Sequence, residues 1–392
     1  MTGRVRFSKM ATRKILTPQF ISVFFAQFSL SFSYNLLVPT LPIYLASLGS
    51  REETIGLLIG ALSVSSLILR PVVANALARI PERKFMLAGA LIYGVTSLSY
   101  IWAPPFWPFF IVRILQGIAT AFFYTASVMM VVNISLDAHR GESLSYFYTA
   151  FNFAFAIAPI VGMYMINLLN FTSLFLLCTA LSLLSLALTV RLPKRAPELV
   201  ATVSGQTSSL FSLKALHPSV MSIFLHILWG ALTAFFPLYS VSQGVANPGF
   251  FFGALALTLI VGRMFGGRIM DRTNRERIIF PCITTYILSM VLLAFSKSLP
   301  MFILVAVIWG IGSAFLFPAL LAYTVERAGA ERGPAIGTFS AAGDLGIGLG
   351  SVIMGIVLRL TDYRTMFLCL ALIAVINLGY FHYFMRDRSK SP

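Results

Sequence analysis

One carboxylate, Asp344, stands in the stretch SAAGDLGIGLG (340–350), where every neighbour is small or apolar. Only four more charged or imidazole side chains lie well inside apolar runs of this kind: Arg70, Arg113, His226 and Arg263. An isolated acid of this type can load and release a proton, and an imidazole ordinarily titrates near neutral pH. Arginines keep a fixed charge and bias any acid beside them. Asp344 with Arg113 and His226 is therefore the candidate proton-handling set. The structural alternatives are an aspartate bound to backbone or to a serine, and a hydrogen-bonded packing histidine. Neutral polar groups in the same runs, Gln27, Asn35, Gln116 and Asn152, can orient a small molecule or make plain polar contacts between helices. Tyr124, Trp229 and Trp309 are the aromatic counterparts, suited to an amphipathic ligand.

What must position these groups follows from composition. The 392 residues are 58% hydrophobic and 11% charged, with 35 phenylalanines and a mean hydropathy of +0.87. A soluble domain carries about 25% charged residues, so a water-facing surface cannot be built from this chain. Apolar runs long enough to cross about 30 Å of hydrocarbon occur at about 18–45, 54–78, 84–103, 107–132, 143–168, 171–190, 217–241, 249–271, 278–296, 300–325, 335–359 and 364–385. They are continuous, not alternating, which predicts twelve helices and excludes a barrel. The first run is too long for a cleaved signal segment. Cys178, Cys282 and Cys369 have no metal-ligand spacing and read as apolar fillers, so neither a metal nor a cofactor is expected.

The net charge of +16 is a topology signal and not a nucleic-acid footprint. Of 29 lysines and arginines, 22 fall in the termini and the alternate loops that share their side. Arg51, Lys297, Arg359 and Arg364 fall on the other side, and three arginines lie within spans. The positive-inside rule places both termini in the cytoplasm. The expected organisation is a basic tail (1–17), six helices (18–190), a cytoplasmic loop (191–216), six more helices (217–385) and a cytoplasmic tail (386–392).

The two halves repeat. An offset of 193 residues lays IGALSVSSLILRPVVAN (59–75) over FGALALTLIVGRMFGGR (252–268) and pairs Arg70 with Arg263. The same offset lays QGIATAFFYTA over WGIGSAFLFPA. With one residue less, RGESLSYFYTAFN lies over RGPAIGTFSAAGD and pairs Asn152 with Asp344; with two more, LPIYLASLG lies over FPLYSVSQG. Two six-helix halves in parallel orientation predict a pseudo-twofold axis along the membrane normal and a site between the halves.

Over its whole length the chain thus resembles the major facilitator superfamily, and shorter motifs carry the resemblance further. The family's cytoplasmic signature, roughly Gly-x-x-x-Asp-Arg-x-Gly-Arg-Arg, survives in GRIMDRTNRERI as Gly267, Asp271, Arg272 and Arg275, with Asn274 replacing a glycine. Its first-half copy has decayed to RPVVANALARIPERKFM, where Ala74, Ala78 and Pro81 stand at the conserved-type positions. The resemblance implies a cytoplasmic gate held by Asp271 against a helix N-terminus of the other half, with Arg70 and Arg263 flanking it. Both arginines are also within about 12 Å of the cytoplasmic face, near enough to snorkel. RILQGIATA matches an Arg-x-x-Gln-Gly pattern at Arg113, Gln116 and Gly117, where proton-driven exporters place an arginine that acts on nearby acids or on substrate. APIVG (158–162) matches the exporter-type helix motif at Pro159 and Gly162 and departs from it at Ala158.

The resemblance implies a secondary active transporter of a bacterial inner membrane, moving a small amphipathic molecule by alternating access, with proton-coupled efflux first. Proton-coupled uptake of a sugar, an organic anion or a siderophore-like compound is the second reading. A polytopic enzyme or sensor is the remote third, for which the chain offers no phosphate loop and no His-Glu-x-x-His. The expected partners are the transported molecule, protons or another coupling ion, and membrane lipid. Nucleic acid is not among them, and the chain is expected to act as a monomer.

Overall fold

Removed from water, a backbone must satisfy its hydrogen bonds internally, and a long helix does this for every apolar run. The computed structural model describes residues 17–136, 139–193, 212–272, 275–328 and 332–384; of the helical residues 265–272, 275–277, 332 and 333 it describes the backbone alone. Within them lie twelve long helices and no strand. The first six are α1 (Pro18–Ser47), α2 (Glu52–Ala76), α3 (Glu82–Ser99), α4 (Trp107–Ile134), α5 (Arg140–Leu168) and α6 (Phe171–Val190). A single 3₁₀ turn, Leu213–Ala215, leads into the second six: α7 (Leu216–Ser242), α8 (Gly249–Arg272), α9 (Arg275–Phe295), α10 (Leu299–Ala328), α11 (Arg332–Leu360) and α12 (Tyr363–Phe384). Ten are long and apolar enough to cross a membrane. The other two are α3, which opens on Glu82, Arg83 and Lys84, and α8, whose described apolar part is Gly249–Met264. With an even number of helices, α1 starts and α12 ends on one face, called here the terminal face; the opposite one is the far face.

The repeat in the sequence becomes a repeat of contacts. In the first half α1 packs on α5 and α6, α4 on α2 and α3, and α3 on α6. In the second half α7 packs on α11 and α12, α10 on α8 and α9, and α9 on α12, the same set six helices on. Details repeat as well. Gly49 and Gly244 end α1 and α7 with φ of 77° and 79°. At each, a pair of backbone bonds closes the helix: Ser50 to Leu45 and Gly49 to Ala46, then Val245 to Ser240 and Gly244 to Val241. A left-handed residue is needed at this cap, and glycine adopts it without a Cβ penalty. Tyr44 packs on Phe171 and Phe175, and Tyr239 on Tyr363 and Phe367. Each hydroxyl donates to a carbonyl just beyond the third helix of its half, Tyr100 or Ser296.

The halves meet along two seams, α2 with α11 and α5 with α8, and where α1 faces α7. Both seams are built on glycines with no room for a side chain. A Cβ at Gly56 would stand 2.2 Å from the Ser351 carbonyl oxygen, and one at Gly249 would stand 2.5 Å from that of Pro159. A Cβ at Gly60 would stand 3.0 Å from the Gly348 carbonyl oxygen, and one at Gly253 would stand 3.2 Å from that of Ala156. The offsets read from the sequence carry Gly56 and Gly60 onto Gly249 and Gly253, and Pro159 and Ala156 onto Ser351 and Gly348. One geometry is therefore used twice, related by the pseudo-twofold axis.

These contacts lie in the far half of the bundle. Arg359 and Glu53 pair there at 3.0 Å, and Asn167 and Asn247 donate to the Ala246 and Ile160 carbonyls. Phe155 of α5 meets Trp229 of α7 and Phe252 of α8. The far face is thereby sealed.

Candidate functional site

Below the seal, toward the terminal face, α11 carries Asp344 one turn from Gly348. The glycines of SAAGDLGIGLG serve different neighbours. Gly346 and Gly350 let α7 approach so closely that Cβ atoms there would stand 2.5 and 2.1 Å from the Ile223 and Ile227 carbonyl oxygens. Gly343 leaves space for the His226 ring, whose atoms lie 3.1–3.3 Å from where its Cβ would be. Gly348 faces Val64 of α2, and Asp344 points into the same seam.

Its partner there is Arg70. The Arg70 Nη1 lies 2.9 Å from Asp344 Oδ2. The approach lacks hydrogen-bond alignment, so Oδ2 has an ion-pair partner but no hydrogen-bond donor. Arg70 also donates through Nε to Ser66 at 3.3 Å. It starts ten residues from Gly60, about 15 Å along α2, whereas Asp344 is about 6 Å from Gly348 along α11. The long side chain therefore reaches back across the gap between the halves. Tyr34 of α1, Tyr124 of α4 and Tyr148 of α5 lie within electrostatic range of it. A side chain ringed by groups from α1, α4, α5 and α11 and still 40% exposed faces an opening between the bundles, not the lipid.

Arg113 is placed differently from the expectation that it acts on Asp344. It is buried, donating through Nε to the Leu58 carbonyl, through Nη2 to that of Ile59 and through Nη1 to Gln116 Oε1. Tyr34 is in electrostatic range of Arg113, Arg70 and Asp344 alike, but the ion pair belongs to Arg70. Arg113 ties α4 to α2, with each of its three side-chain nitrogens bonded locally. Arg113→Leu is expected to lower the thermal unfolding midpoint, since each charge-assisted bond removed is worth about 1.5–3 kcal/mol. Unchanged stability with lost transport would instead assign it a direct part in the cycle.

The remaining candidates divide in two. Gln116 is fully buried and accepts from Tyr100 as well as Arg113. Asn35 is buried and donates to the Ser31 carbonyl of its own helix. Gln27 accepts from Ser127 and donates to Ser31, and Tyr124 touches the Ser31 hydroxyl at 3.4 Å, so α1 and α4 share one polar network. Trp309 is buried between Tyr286 and Trp229. Gly162 lets α5 close on the Leu36 carbonyl of α1, and Pro159 presents its carbonyl to Gly249. Nearer the opening are His226, Asn152 and Trp229, all half-buried. His226 Nδ1 lies 2.8 Å from the Ser222 carbonyl oxygen. A carbonyl only accepts, so Nδ1 carries the hydrogen, and Nε2 is the atom free to bind a further proton. The side chains of Gly267, Asp271, Arg272 and Arg275 lie outside the described residues; their backbones end α8 and begin α9. Tyr34 and Tyr148 complete the surroundings of Arg70 and were not singled out from sequence as site residues.

Chemically, the arrangement places a titratable contact between the two halves, nearer the terminal face than the Arg359–Glu53 pair. A protonated Asp344 no longer attracts Arg70, so the state of one proton bears on the seam between the halves. Among the described residues no group of His, Cys, Asp and Glu is arranged to hold a metal.

Comparison with known proteins adds the family. The chain is 23% identical over 370 residues to the staphylopine export protein of Staphylococcus aureus, covering 88% of this chain and 91% of that one. It is 23% identical over 361 residues to multidrug resistance protein 2 of Bacillus subtilis, covering 88% and 90%. Among solved structures, the nucleoside transporter NupG superposes with a TM-score of 0.79 at 16% identity, over 96% of this chain and all of that one. The model of the Major Facilitator Superfamily matches residues 23–296 and 245–392. With that match across nearly the whole chain, twelve helices in two pseudo-symmetric bundles and a polar site between them, this multi-pass membrane protein belongs to the Major Facilitator Superfamily and is a transporter, not an enzyme.

Proposed function

We propose that the protein exports a small amphipathic molecule from the cell in exchange for protons, with Asp344 as the group that takes and gives the proton. The observation that carries this reading is the Arg70–Asp344 ion pair between the two bundles. The distribution of basic residues supports a cytoplasmic terminal face; on this reading the closed far face is the outer one and cargo has access from inside. Cargo enters from the cytoplasm toward Arg70, Asp344 and their tyrosines. When the glycine seams part, the same site faces outward. There a proton loads onto Asp344, and it is released after the bundles rock back. His226, seated on Gly343 beside Asp344, offers Nε2 as a second proton acceptor on this path. Relatives whose names describe export and drug resistance support the outward direction.

Everted membrane vesicles with an acidic interior test the direction. A panel of aromatic amines, aromatic carboxylates and aromatic amino acids is offered from outside, and accumulation is followed by filtration. Export predicts that at least one compound concentrates inside and collapses with an added protonophore. Accumulation only in right-side-out vesicles with acid outside would make the protein an uptake symporter.

A further inference from the structure

The pseudo-twofold axis sets a second position against the Arg70–Asp344 pair. The offset that aligns α2 with α8 carries Arg70 onto Arg263, and the one that aligns α5 with α11 carries Asn152 onto Asp344. The glycine contacts above show that these offsets hold in space, because both seams meet at the same offset residues. Asn152 lies one turn from Ala156, as Asp344 lies one turn from Gly348. Arg263 lies ten residues from Gly253, as Arg70 does from Gly60. Around α8, Thr258 and Gly262 face α10, Gly249 and Gly253 face α5, and Leu257, Val261 and Met264 are the exposed apolar side. At 100° per residue, Arg263 falls between the α5 side and the interior, turned away from the apolar side.

The two positions differ in charge. Arg70 has a carboxylate opposite it and Ser66 beside it. By the same offsets Arg263 stands across from an uncharged amide position and Leu259 takes the place of Ser66, while Tyr286 of α9 lies within electrostatic range of the guanidinium. Among the described residues Arg263 has no ion pair and no hydrogen bond, and its side chain is exposed. Asparagine copies the shape of aspartate but exchanges one acceptor for an NH₂ donor. A guanidinium and an amide NH₂ at such positions can both donate to one anion. The surroundings change as well: Trp229 and Phe317 stand at the offset positions of Tyr34 and Tyr124, so two ring hydroxyls are lost, while Ser340 stands at that of Tyr148.

We propose that Arg263 and Asn152 form the recognition position for a carboxylate on the transported molecule, making the cargo an amphipathic organic acid or an amino acid-like zwitterion. The guanidinium accepts the carboxylate in its planar fork, Asn152 Nδ2 donates to the same group, and the apolar body packs toward Trp229 and Phe317. In the zwitterionic case the ammonium is drawn toward Asp344. The inference rests on the transport reading, but binding needs no proton gradient. Its failure therefore leaves that reading standing, and failure of coupling leaves the binding result standing.

The test uses the full chain in nanodiscs and three probes of one size: 1-naphthylacetate, 1-naphthylalanine and 1-naphthylmethylammonium. Wild type is expected to bind the two carboxylates at least about tenfold more tightly than the amine, one charge-assisted contact's worth. Arg263→Gln is expected to erase that preference, and Arg263→Lys to keep part of it. Asn152→Asp gives Arg263 an internal counter-ion and is expected to expel the carboxylates by a similar factor without loss of folded protein. Wild type that binds no carboxylate, or binds all three probes alike, overturns the proposal. So does Arg263→Gln protein that keeps its preference, or that weakens all three probes equally, the outcome for an arginine that only snorkels to the membrane face.

Discussion

Leucine at Gly56 or at Gly249 is expected to arrest the cycle while leaving a folded protein. A Cβ at either site would overlap a backbone carbonyl, Ser351 or Pro159, and a carbonyl inside a helix cannot rotate away. The clash exists only while the far face is closed. Overpacking of this kind costs about 1–3 kcal/mol, which shifts the balance against the closed state by about 5–150-fold. The two sites are remote from each other on the two seams, so the paired variant should show nearly the sum of both costs. The readouts are turnover in proteoliposomes and the labelling of Ser351→Cys by a membrane-impermeant thiol reagent. Ser351 is buried in the closed seam, so labelling from the far side reports its opening. In a Gly249→Leu background, labelling should accelerate as turnover falls. Unchanged labelling and turnover would show that the seams do not move.

The second large effect is at Asp344. Asparagine there keeps the volume and removes the charge, so Arg70 loses its partner and the carrier loses the only acid well inside a predicted span. A fixed charge near mid-bilayer costs about 2.5–3.5 kcal/mol on insertion scales, and the 40% exposure of the Arg70 side chain moderates this. The expected result is a protein that still binds and exchanges cargo but no longer concentrates it. The exchanged pair, Arg70→Asp with Asp344→Arg, separates the two duties of the site. It should restore thermal stability relative to either single change, because an ion pair is again available across the seam. It should not restore coupling, since the acid then sits on α2 and His226 beside an arginine.

How much of this was legible in the sequence depends on how far apart the participating atoms are along the chain. Helices follow from apolar runs and local caps: the run at about 171–190 coincides with Phe171–Val190, and the ends of the other runs fall within about four residues of the helices. The repeat was legible too, and its offsets turned out to name the glycines that touch. Asp344 stood out because an acid among glycines inside a span is costly. Its partner was not legible. Three arginines lie within spans, and which one reaches a given carboxylate is set by how two halves splay, a distance no local pattern contains. Arg113 had the family motif in its favour, yet its donors go to the Leu58 and Ile59 carbonyls. That contact depends on α2 and α4 packing closely through Gly117, where a Cβ would meet the Leu62 carbonyl. Tyr34 was hidden in a polar run of α1 whose facing could not be read from hydropathy alone. The apparent snorkelling of Arg70 and Arg263 is resolved for Arg70 by its geometry: it turns inward to an acid.

The most direct measurement compares two fluxes in proteoliposomes holding wild type or Asp344→Asn at equal density. One is accumulation of labelled cargo driven by an imposed pH gradient. The other is exchange of labelled for unlabelled cargo with no gradient. The variant is expected to lose the first by about 5–150-fold, the span of ordinary coupling energies, and to keep the second. Gradient-driven accumulation equal to wild type would contradict a proton carried on Asp344.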